Sequence, residues 1–245
     1  MTLRAVGLIA GLAMAGDAAA VTCSQTEFEA VGYTLCDVGA AEDLRLFHTG
    51  PDGIYGQFSA VDRVLAAQGQ QLAFAMNGGM YHRDLAPVGL FVEDGVAQAP
   101  LVTSDGPGNF GLLPNGVFCV LAAGGFAVVE SRAFAADPPV CRYATQSGPL
   151  LVIGGDLHPG FLPASDSLNI RNGVGVSADR ARAVFVISDG RVNFHSFARF
   201  FRDVLGMPDA LYLDGSISRL YAPQLDRRDG GFAIGPIVGV VEPKG

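Results

Sequence analysis

The chain has 245 residues, 49% hydrophobic and 16% charged, with 33 Gly and 14 Pro. That length suits one domain or two small ones, and the low charge with abundant Val, Leu and Phe excludes a disordered chain. Sixteen basic against 24 acidic residues give a net charge of −8 without a basic run, which argues against nucleic-acid and anionic-membrane partners.

Residues 1–20 read as a cleavable signal peptide. Arg4 supplies the n-region charge, an apolar run extends from Ala5 to Gly16, and Ala18-Ala19-Ala20 is a small-residue cleavage site. The run falls short of the roughly 20 residues that span a bilayer, so cleavage near Ala20 is expected rather than an anchor. Arg4 and Asp17 leave together, and the net charge stays at −8. No later segment is long and apolar enough to insert stably in a membrane. The expected product is a soluble periplasmic or secreted protein.

Residues 21–245 read as one continuous α+β domain, rich in strands, with mixed sheets and few helices. Strands are predicted at 33–38, 44–48, 71–76, 88–93, 117–121 and 126–130, then at 150–153, 174–177, 183–187, 210–213 and 237–241. Asp94-Gly95 and Gly124-Gly125 are tight-turn signals between neighbouring strands. A helix at 59–67 opens on a Ser59 cap and carries Val61, Val64 and Leu65 at helical spacing. A second, at 193–205, puts Phe194, Phe197, Ala198, Phe201, Val204 and Leu205 on one face, with Gly206 and Pro208 as its stop. Lying between strands 183–187 and 210–213, it predicts a βαβ unit with a parallel pair near the C-terminus.

Cys23, Cys36, Cys119 and Cys141 allow three pairings. The local one, Cys23–Cys36 with Cys119–Cys141, is expected, because each pair brackets a hairpin. No Cys-x-x-Cys occurs and His48, His82, His158 and His195 are scattered, so disulfides are expected and no metal site.

Candidate chemistry gathers where strands run into Gly-rich loops. Asn77-Gly78-Gly79 ends an apolar strand in a loop whose amides can approach a ligand, although Asn-Gly alone is more simply a hairpin turn. Gln146-Ser147-Gly148-Pro149 follows. In Arg171-Asn172-Gly173-Val174-Gly175 the arginine has no acidic sequence neighbour, so it either pairs with a distant carboxylate or awaits an anionic ligand. Leu213-Asp214-Gly215 delivers a carboxylate at a strand's C-terminal end, the usual ligand position in α/β units, with Ser218 beyond it. Asp189-Gly190 ends the preceding strand and reads first as a turn, with Asp189 as a possible second contact on the same edge. His195, at a helix start whose dipole disfavours a protonated imidazole, reads as a helix-terminal residue rather than a proton carrier. Gly-x-Ser-x-Gly, P-loop and His-Glu-x-x-His patterns do not occur.

Taken in order, the Asn-Gly-Gly, Gln-Ser-Gly-Pro, Arg-Asn-Gly-Val-Gly and Leu-Asp-Gly motifs resemble the phosphodiester glycosidase family, and within it a bacterial branch of exported proteins. The resemblance spans roughly residues 33–241. It departs from the family's Leu-Asp-Gly-Gly-Gly-Ser, because Ser216 and Ile217 replace two glycines. Ser216 adds a donor and Ile217 adds bulk beside the pocket.

The resemblance implies hydrolysis of a sugar-1-phosphodiester at the anomeric carbon, without a cofactor. The substrate would be a small molecule or a glycan phosphodiester. Because a phosphate monoester is already a stable leaving group, the site needs a cation for the phosphate and a carboxylate near the anomeric carbon. Arg171 is expected in the first role and Asp214 in the second, as nucleophile or general base. Asn77, Gly78, Gly79, Gln146, Ser147, Asn172, Asp189, Gly215 and Ser218 are expected as binding contacts. Two rival readings follow in order: a glycan-binding protein without turnover, and a metal phosphodiesterase drawing on His82, Asp84, Asp189 and Asp214.

Overall fold

The computed structural model describes residues 21–214 and 217–245. The expected signal peptide, Gly215 and Ser216 lie outside the described residues.

Three sheets enclose the core. A seven-stranded sheet has the order Thr22–Phe28, Val31–Gly39, Arg182–Ser188, Asn172–Val176, Asp209–Asp214, Leu150–Ile153, Asp156–Leu157. A five-stranded sheet is built from Phe126–Glu130, Gly116–Leu121, Cys141–Ser147, Phe91–Glu93 and Val96–Ala99. A second five-stranded sheet runs Arg227–Arg228, Leu220–Ala222, Gln70–Asn77, Ile237–Pro243, Asp43–Phe47. Each contributes one ring to a central aromatic cluster, with Phe185 5.2 Å from Phe74 and 5.6 Å from Phe118 between centroids. Rings at such offsets add to the burial term that holds the sheets together.

Period-two alternation explains how the large sheet is covered on both faces. Ala183, Phe185 and Ile187 enter the inter-sheet core, while Val184 and Val186 meet the helical segment after residue 193. On that outer face the strand Asn172–Val176 must let the helix come close. A Cβ on Gly173 would stand 2.7 Å from the Leu211 carbonyl oxygen, and one on Gly175 2.7 Å from Met207 Cγ and 2.8 Å from Phe201. Both glycines of the Arg-Asn-Gly-Val-Gly motif thus make room for packing.

The α+β, strand-rich single domain is as expected, but the pairing differs. Every ladder among the described residues is antiparallel, so the sheets are not mixed. Arg182–Ser188 and Asp209–Asp214 do run parallel, yet Asn172–Val176 lies between them and pairs with both. The crossover helix therefore steps over an occupied strand position, and no parallel pair forms.

The predicted helices also shift. The first spans Phe58–Ala66 with Gln57, not Ser59, at the cap position, where its side chain makes no cap bond. Gln57 instead donates to the Gly231 carbonyl and accepts from Arg219. The second is an α-helix over Phe194–Arg199, capped by Asn193, followed by a π-helical turn over Phe200–Val204. The wider turn rotates the buried face, so Phe200 is sealed while Val204 is 46% exposed. Gly206, at φ +64, ends it as expected.

Both expected disulfides form. Cys23–Cys36 joins directly opposed residues of the first two strands, and Cys119–Cys141 joins neighbouring strands around a hairpin and a short helix, Ser131–Ala136. No helix among the described residues is long and apolar enough to cross a membrane.

Candidate active site

The ends of one strand from each sheet meet at a single point. Asp214 ends its strand beside Asn172, whose Oδ1 accepts the Asp214 backbone N–H at 2.7 Å. From the second sheet, Ser147 Oγ donates to the Leu213 carbonyl at 2.8 Å. From the third, Asn77 Nδ2 donates to Asp214 Oδ2 at 3.3 Å and to the Ile217 carbonyl at 2.7 Å, and its Oδ1 accepts Arg219 N–H at 2.7 Å. Ser218 Oγ donates to the Asp214 and Ile170 carbonyls at 2.9 and 3.2 Å. Four separate motifs thus brace one carboxylate and the segment that follows it.

Asp214 is only 7% exposed, and it lies in the wall of a cavity of about 810 Å³. Segments 80–83 and 102–111 form its sides, with Tyr81, Phe110, Tyr212 and Ile217 among its apolar surfaces. Tyr81 stands near enough to feel the Asp214 charge. Burial, then that carboxylate, pushes its phenol up to about 12, against the pull of Arg219. Tyr81 therefore stays a proton donor through neutral pH. Burial also raises the Tyr212 phenol, opposed by Arg171 and Asn109 beside it.

Several expected contacts stand elsewhere. Arg171 is fully buried and does not line the cavity. Its Nε donates to the Val192 carbonyl and its Nη2 to that of Ser167, both at 2.9 Å, and its guanidinium lies 3.6 Å from the Phe194 ring centroid. Burial lowers its pKa from the ordinary arginine value, with Tyr212 acting in the opposite sense. In this position the arginine props the strand end from behind and presents no fork to the cavity. Arg171→Met is accordingly expected to lower unfolding free energy by about 1–3 kcal/mol in denaturant titration while leaving KM unchanged. A tenfold rise in KM without loss of stability would restore the phosphate role.

Gln146 is a clamp. Its Oε1 accepts the Leu90 and Val102 amides and its Nε2 donates to the Val102 carbonyl and to Ser131 Oγ. It anchors the base of the 102–111 wall and does not face the cavity. Asn77-Gly78-Gly79 is not a hairpin turn either. Gly78 N–H donates to the Pro236 carbonyl, and a Cβ there would stand 2.9 Å from the Ile237–Val238 backbone. Gly79, at φ +154, would bring a Cβ within 2.5 Å of Thr145 Oγ1. Gly78 lets neighbouring strands of one sheet come close, Gly79 lets its segment approach the sheet that carries Thr145, and the Gly78 amide is not available to a ligand.

Asp189 does not line the cavity and is paired with Arg227 at 2.6 Å and bonded to Thr34. Asp84 accepts the Ala86 N–H inside its own loop. Of the residues the metal reading would gather, His82 and Asp214 line the cavity. Among the described residues no three His, Cys, Asp or Glu side chains converge. Ile217 does line the cavity, as its departure from glycine implied.

Residues 70–237 match the phosphodiester glycosidase family. The matched span contains every braced residue just described. This chain belongs to the phosphodiester glycosidase family. An Escherichia coli K12 relative, described as uncharacterized protein YigE, is 38% identical over 167 residues, which cover 68% of this chain and 64% of the relative. The match thus spans under two thirds of that relative's length. Among solved structures, the catalytic domain of zebrafish N-acetylglucosamine-1-phosphodiester alpha-N-acetylglucosaminidase, auto-inhibited by its pro-peptide, superposes with a TM-score of 0.58. It covers 90% of this chain and 81% of its own at 13% identity, a likeness of fold.

Membership supports a phosphodiester glycosidase-like hydrolase. Tyr81, Asn109 and Tyr212 were not singled out from sequence. Tyr212 had a signal: it lies two residues before Asp214 on the same strand, and both line the cavity.

Proposed function

We propose that this member of the family is an exported hydrolase of sugar-1-phosphodiesters that cleaves the bond between the anomeric carbon and the phosphate oxygen. The observation that carries the reading is Asp214, held by Asn77 and Asn172 in the wall of a cavity large enough for a sugar and its phosphate. Asp214 serves as nucleophile or as general base for water. Tyr81 and Tyr212 offer aromatic surface and a hydroxyl donor to the sugar ring. The expected leader and the two disulfides suit export to an oxidising compartment.

An N-acetylhexosamine is the first sugar to test, because the zebrafish neighbour acts on N-acetylglucosamine-1-phosphodiester. Hydrolysis in ¹⁸O-labelled water identifies the broken bond. Label in the released sugar is the expected result. Label in the phosphate would mean P–O cleavage, and with it the metal phosphodiesterase reading.

A further inference from the structure

We propose that Arg83, on the wall of the cavity, binds the phosphate of the diester; this assignment rests on the phosphodiester reading of the site. An anion entering the cavity meets the Asp214 carboxylate on a chain of net charge −8. Holding it there calls for a cation, since like charges at close range repel. Arg171 is sealed behind the strand end. Arg219 is buried, with its Nη1 on Gln57 Oε1 at 3.1 Å. Among the described residues lining the cavity, only Arg83 and its neighbour His82 can carry positive charge. Arg83 is exposed and forms no hydrogen bond or ion pair with any described residue.

The loop that presents it is well braced. Tyr81 bridges to Pro87, His82 N–H donates to the Ala86 carbonyl at 2.8 Å, and Val88 N–H donates to that of Met80 at 3.1 Å. His48 Nε2 reaches across to donate to the Leu85 carbonyl at 3.0 Å. The one acid in this loop, Asp84, caps the Ala86 amide, so Arg83 is left for a ligand.

The chemistry needs this cation most as the bond breaks. The C1–O electron pair leaves on the phosphate oxygen, which takes the phosphate from one negative charge to two. The oxygen of water ends on C1, and one of its protons is released through Asp214. A guanidinium on the departing phosphate is therefore stronger in the transition state than in the ground state, and its planar fork matches two phosphate oxygens.

Binding is measured by calorimetry on the Asp214→Asn background, which keeps the probe intact. The probes are the methyl phosphodiester of α-N-acetylglucosamine and the uncharged methyl α-glycoside of the same sugar. Adding Arg83→Gln is expected to weaken diester binding by about 10- to 100-fold, to leave the uncharged glycoside unchanged, and to be partly rescued by Arg83→Lys. Unchanged diester binding, equal weakening of both probes, or no diester binding to either protein overturns the assignment. Diester binding through Arg83 without turnover by the wild type would instead defeat the hydrolase reading and leave the cation's role standing.

Discussion

Replacing Asp214 by Asn is expected to lower kcat on a sugar-1-phosphodiester by roughly 10²- to 10⁴-fold, the range for removing a positioned acid–base group. The change is close to isosteric. Asn172 still receives the backbone N–H of residue 214, and an amide oxygen can still accept from Asn77 Nδ2. The fold should therefore survive, with thermal melting near that of the wild type. What goes is the charge, and with it the power to accept a proton or to attack the anomeric carbon. Steady-state rates checked beside circular dichroism separate the two effects. An Asn variant with more than a tenth of wild-type kcat would remove Asp214 from the chemistry.

Asn77→Ala is expected to damage stability and activity together. The side chain satisfies the buried Arg219 N–H and the Ile217 carbonyl while touching Asp214. Leaving buried groups unpaired costs about 1–3 kcal/mol each, so a combined loss of about 2–5 kcal/mol is expected, a large part of a typical domain's stability. Asn77→Asp separates the roles. It restores an acceptor for Arg219 N–H but sets a second carboxylate against the first, and like charges at that range raise one of the two pKa values. If ionised Asp214 is required, the acid limb of kcat/KM moves to higher pH in Asn77→Asp. A profile unmoved on its acid side would mean that Asn77 only supports the fold.

Much of the site was legible because its residues sit at strand ends, where a buried apolar run stops at a polar residue and a glycine. Asp214 and Asn77 share that signature, Ser147 ends its strand before Gly148, Asn172 opens one before Gly173, and all four meet. Roles were harder to read than membership. Arg171 looked like an anion site because its sequence neighbours include no acid, but its surroundings are two carbonyls and the Phe194 and Tyr212 rings, supplied by the fold from up to 41 residues away. Gln146 looked like a ligand contact and proved to tie down a loop 44 residues away. The strand Thr22–Phe28 escaped notice because five of its seven residues are polar and all five lie exposed at a sheet edge. Strand order was hidden for a topological reason. Short loops imply neighbours, but Asn172–Val176 slots between two strands joined by a helix, and no local pattern records that insertion.

The most direct test follows free sugar released from an α-N-acetylglucosamine-1-phosphodiester by residues 21–245, folded with both disulfides, beside Asp214→Asn and a wild-type sample in EDTA. The expected result is release by the wild type that chelation leaves unchanged and that the Asn substitution lowers at least 100-fold. Release by both proteins at similar rates, or release abolished by EDTA, would contradict an account in which the Asp214 carboxylate attacks or activates water at the anomeric carbon.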